Sequence, residues 1–146
     1  MARTIAIIMG VAFILIGLVG FISDNFLGTH LTLAHNLIHL VSGAAALYIG
    51  LKGSIQAAKL FGFGFGAVYL LLGVVGYWLG GMHRTTELPP SAQAGGVNEN
   101  MFRMIPGVLE LGSMDHLLHV AIGLIFIIGA VLTRGNLTQY TEGNPG

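Results

Sequence analysis

The chain contains no cysteine. That excludes disulfides, thiol catalysis, iron–sulfur clusters and cysteine-ligated zinc. Charge is almost as scarce, at 8% of 146 residues, against about 25% in soluble domains. The net charge is zero, so a nucleic-acid partner is not expected. Apolar residues take the place of charge: 54% of the chain is hydrophobic and its mean hydropathy is +0.81, which places it in the membrane class.

Four apolar stretches stand out, at about 4–23, 31–51, 60–80 and 113–133. Each is near the roughly 20 residues that cross a bilayer as helix. The first follows Arg3 as a secretory signal would, but it is longer than the roughly 7–15 residues of a signal core and no small-x-small cleavage site follows. It reads as a retained span. The alternation Phe61-Gly62-Phe63-Gly64-Phe65-Gly66 has the period of a strand. The apolar run continues to Leu79 and open strands cannot span lipid, so helix is the expectation there too.

The chain repeats itself. Gly10 to Ile22, GVAFILIGLVGFI, matches Gly66 to Trp78, GAVYLLLGVVGYW, with glycines at 10/66, 17/73 and 20/76. A second match aligns His35-Asn36-Leu37-Ile38-His39 with Asp115-His116-Leu117-Leu118-His119, and Gly43 with Gly123. The predicted fold is all-α: one membrane domain of four transmembrane helices. It is built from two tandem hairpin repeats, about 4–51 and 60–133, related by a pseudo-twofold axis.

Lys and Arg set the orientation. Arg3, Lys52, Lys59 and Arg134 fall on one side, and Arg84 and Arg103 on the other. Four against two predicts both termini inside. The loop 81–112 is then extracytoplasmic. Pro89-Pro90 and Gly95-Gly96 read as irregular chain, and Met101 to Ile105 as a headgroup-layer segment or a cap over the helix ends. The tail from Asn136 is expected to be loose. Gly10, Gly17, Gly20, Gly43, Gly66, Gly73, Gly76 and Gly123 are read as helix-packing positions. His30 and His83 are expected at the interface. Tyr48, Tyr69, Tyr77 and Trp78 are expected at headgroup level or packed in the bundle.

Four of six histidines sit in the repeated turns. Positions i and i+4 share a helix face, so His35 aligns with His39 and Asp115 with His119. A pseudo-twofold axis would bring these faces together. One reading is a polar clamp of His35, Asn36, Ser42, Asp115 and His116, hydrogen-bonded across helices and to helix-start amides. A second is a divalent metal held by His35, His39, Asp115 and His119, or a haem or chlorin between His39 and His119. A third is a proton or small-solute conduit formed by oligomers, since histidine titrates near neutral pH. No ionisable row continues inward to support it. No activated nucleophile stands out, so catalysis is not expected.

The pattern G-V-x-F-x-L-x-G-x-x-G-F followed by H-N-L-x-H-L-x-x-G, then repeated with D-x-L-L-H, resembles the bacterial four-helix membrane family catalogued as domain of unknown function 4383. The resemblance covers about 5–133. It implies a fold and a bacterial inner-membrane location, with no established activity. That family's second copy usually reads D-N-x-x-H; here His116 replaces the Asn, and the loop 81–112 is longer. The leading expectation is a non-enzymatic scaffold or accessory subunit. It would associate with itself or with a larger membrane complex.

Overall fold

The computed structural model describes residues 1–83 and 99–134. The proline and glycine pairs of the long loop and the polar tail lie outside the described residues. Four helices dominate: α1 (Ala2–Val19), α2 (Leu33–Lys52), α3 (Ile55–Leu79) and α4 (Ser113–Val131). Among the described residues, three short strands lie between α3 and α4: β1 (Gly81–His83), β2 (Glu99–Ile105) and β3 (Leu109–Leu111). All four helices are long and apolar enough to cross a membrane. The alternating Phe-Gly run is helical, inside α3.

Local chemistry sets the helix ends. Thr32 caps α2 by accepting from His35 N, and Ser54 caps α3 by accepting from Ala57 N. Asp115 reaches back to Gly112 N at 2.8 Å and closes the start of α4. The last carbonyls of α2 are met by Arg3, whose Nε donates to Gly50 O and Nη2 to Leu51 O, each at 2.9 Å. A cation at a helix C-terminus also suits the macrodipole.

α1 packs along α2, and α3 along α4, on glycine. A Cβ on Gly10 would lie 2.9 Å from Gly43 O, and one on Gly43 would lie 2.8 Å from Gly10 O. The second hairpin has the same closeness: a Cβ on Gly66 would lie 2.9 Å from Gly123 O, and one on Gly123 would lie 2.8 Å from Gly66 O. Contacts this short bring backbone against backbone, which only small residues permit. Gly17 meets Asn36 and Leu40, and Gly73 meets His116 and Val120. Gly20 faces the Asn36 side chain and Gly76 the His116 ring.

Between the hairpins the core is aromatic. Phe13, Tyr69 and Phe126 are buried together, with Ile5, Met9, Phe61, Phe65 and Ile122 around them. Phe13 stacks on Tyr69 at 5.2 Å between ring centroids and lies 6.4 Å from Phe126. Large side chains thus fill the space between the hairpins, while glycines let helices touch within each. At the opposite end from the strands, Ala2 N donates to Thr133 Oγ1 at 2.7 Å and joins α1 to the end of α4.

Of the two expectations for the segment 101–105, a headgroup-layer segment or a cap over the helix ends, the structure bears on the second. The segment is the middle strand of an antiparallel sheet ordered β1-β2-β3. Gly81 pairs with Met101 and Phe102 with Leu111. The physical reason is a turn: Ile105-Pro106-Gly107-Val108 closes with Val108 N to Ile105 O at 2.9 Å and Gly107 at φ +74°. Pro then Gly with positive φ is the signature of a type II turn, which folds β2 back on β3. The sheet is pinned to the helix ends. Thr32 Oγ1 donates to Val108 O at 2.7 Å, and Asn100 Nδ2 donates to Tyr77 O at 2.7 Å. It caps the bundle, as the second of those expectations had it.

Candidate functional site

The site lies where α2 and α4 begin, beneath the sheet. His35, His39 and His119 are almost fully buried there, with Asp115, Asn36 and His116. His35 stacks on His39 at 4.5 Å between ring centroids, one helical turn apart as the i, i+4 spacing predicts. The His119 ring lies 6.0 Å from His35 and meets the edge of Tyr69 at 5.2 Å. His39 also faces Phe13 at 5.5 Å. The two hairpins therefore do bring their histidine faces together.

Most of the remaining polar atoms serve the backbone. Asp115 Oδ2 accepts from His30 N at 3.0 Å and from Gly112 N at 2.8 Å, so one oxygen ties the α1–α2 loop to the start of α4. His35 Nδ1 lies 2.7 Å from His30 O. A carbonyl only accepts, so this nitrogen carries the proton, and in the neutral ring Nε2 keeps its lone pair. Asn36 Nδ2 donates to Leu31 O at 3.4 Å, and His116 Nε2 donates to Asn100 O at 3.2 Å. Ser42 faces the Tyr69 hydroxyl across α2 and α3. His30, expected at the interface, is buried in the loop by these bonds.

Each clamp residue thus meets backbone or a neighbouring side chain through at least one polar atom, although Asn36 Oδ1 is buried without a partner. Nδ1 of His39 and Nδ1 of His119, at matching places in the two sequence copies, are buried without a hydrogen-bond partner. Among the described residues no three His, Asp or Glu side chains are arranged to hold a metal ion. Between His39, His119 and Asp115 lies a cavity of only about 40 Å³. A haem or chlorin needs on the order of several hundred Å³, more than the space between these two rings in this structure. A larger pocket of about 200 Å³ opens on the other side of His119, between α2 and α3.

Sequence reading missed Phe13 and gave Tyr69 no specific role, although both touch the histidines. The signal was present: Phe13 and Tyr69 occupy the same place in the two copies of the repeat. Tyr48, Tyr77 and Trp78 remain exposed.

His39 yields a test. Its Nδ1 has no partner to strand, so His39→Phe keeps a ring against His35 and Phe13 and removes a buried unpaired nitrogen. Losing such a group without orphaning another is neutral or stabilising, by up to about 1 kcal/mol. Thermal melting in detergent should show an unchanged or higher midpoint. A fall of several degrees would show that the imidazole is bonded after all.

The chain matches no protein-family model, no curated protein and no solved structure.

Proposed function

We propose that the protein is an integral protein of the bacterial inner membrane with four spans and both termini inside. In this reading it is a non-enzymatic scaffold or accessory subunit. Four helices of sufficient length and apolarity support the location, as does the belt of exposed Leu, Ile and Val along them. Arg3, Lys52, Lys59 and Arg134 at one end support the orientation. Matching glycine contacts in the two hairpins support a duplicated unit with pseudo-twofold symmetry.

One observation carries the scaffold reading. An apolar cleft of about 730 Å³ runs along the outer side of α3 and α4, with Gly73 in its lining and Val74, Tyr77, Trp78, Leu117 and Val120 around it. A cleft of this kind on a lipid-facing surface accepts the ridge of another helix, because close packing replaces the hydrophobic drive that lipid removes. The neighbouring helix would come from a second copy or from a larger subunit.

Val74 is half exposed at this cleft, so Val74→Trp fills it without touching the core. The assembly extracted from membranes should be larger than one chain by native mass spectrometry, and Val74→Trp should reduce it to the single chain with no change in melting. A single chain before substitution, or an assembly indifferent to it, would defeat the proposal.

A further inference from the structure

We propose that the pocket between α2 and α3 binds the ring head of a lipid-borne quinone or quinol. The pocket holds about 200 Å³. A cavity of about 150 Å³ accepts one benzene, so this space suits a small ring system. Its walls are mostly apolar: Phe65, Leu72, Leu109 and Leu111 line it. The β2–β3 hairpin forms its roof through Met104, Leu109 and Leu111.

Few polar groups converge on it, and their chemistry is selective. His35, Ser42, Tyr69 and His119 all line the pocket. His35 donates through Nδ1 to His30 O, which leaves Nε2 as an acceptor for a ligand hydroxyl. Ser42 and Tyr69 share one hydrogen bond, which leaves the pair one hydroxyl donor for a ligand carbonyl. His119 adds an imidazole to the lining. Small apolar pockets with a few fixed polar groups are the usual form of a small-molecule site.

Charge narrows the class. Among the described residues no Lys or Arg lines the pocket, so a fatty-acid carboxylate or a lipid phosphate would meet no counter-ion from them, at high desolvation cost. A neutral ring with oxygens able to accept or donate meets both the aromatic walls and the polar floor. Entry is sideways. Ile38 and Val68 form the exposed rim between α2 and α3, on the face that lipid would cover, so an isoprenoid tail can remain among acyl chains.

The test uses the full chain in phosphatidylcholine nanodiscs and a radiolabelled decyl-chain benzoquinone. Saturable binding at one site per chain is expected, above that of empty nanodiscs. Val68→Trp closes the rim from the lipid side and should weaken binding about tenfold or more, with unchanged melting. Leu71→Trp, exposed on the same helix but outside the pocket, should leave it unchanged. His119→Leu removes a polar group from the lining and should also weaken binding. Dodecanoate at equal concentration should not compete. Unsaturable uptake, indifference to Val68→Trp, or displacement by dodecanoate would overturn the proposal, the last by showing recognition of a chain and not of a ring.

Discussion

Gly123→Leu is expected to open the α3–α4 hairpin and cost about 3 kcal/mol or more. A Cβ at this position would lie 2.6 Å from Leu70 N and 2.8 Å from Gly66 O. Both neighbours are backbone atoms of α3, so no side-chain rotation relieves the clash. The two helices must move apart. That separation also lifts Gly66 from Ile127 and Gly73 from Val120, because rigid helices lose contact along their length. Even alanine at 123 is expected to destabilise. The control is Gly64 on α3, around which nothing lies within 4 Å. Gly64→Ala should be neutral or stabilise by about 0.5–1 kcal/mol through helix propensity. Equal midpoints for Gly123→Leu and Gly64→Leu in detergent denaturation would sink the close-approach account.

Asp115→Ala should cost about as much by a different route. One carboxylate oxygen holds two amides, His30 N and Gly112 N, and Asp115 is 2% exposed. Removing it leaves two donors without an acceptor, each at about 1–3 kcal/mol. It also takes the acidic group from the first turn of α4, where the macrodipole favours it. The effect should be local before it is global. Hydrogen exchange at His30 and Gly112 should accelerate first, because those amides lose the carboxylate oxygen that accepts from them. Asp115→Asn keeps an acceptor oxygen and should recover most of the stability. Full protection of both amides in Asp115→Ala would show that the strap does not depend on this side chain.

Both effects concern residues that the sequence already marked, yet for only partly legible reasons. The glycine register at 10/66, 17/73 and 20/76 announced close helix contact, and each of these glycines does face a neighbouring helix. Asp115 was read both as a clamp and as a metal ligand. The structure gives its Oδ2 to two backbone amides. Histidines 35, 39 and 119 converge as the i, i+4 spacing allowed. Their unequal fates were not legible: His35 finds His30 O, while Nδ1 of His39 and of His119 finds nothing. The outcome for His35 depends on where the α1–α2 loop runs, five residues back and folded over. The strands were missed because Met101 to Ile105 was weighed for apolarity alone, without the Pro106-Gly107 turn that follows.

The sequence by itself determined four long apolar helices, their boundaries to within a few residues and the faces on which glycine and histidine would lie. These depend on composition and on the 3.6-residue period, which act over one or two turns. Only the tertiary structure decided which imidazole nitrogen meets a carbonyl, how little room lies between His39 and His119, and that a pocket opens between α2 and α3 under a sheet. Those outcomes turn on shifts of an ångström or two between segments far apart in the chain, and no local pattern encodes so fine a distance.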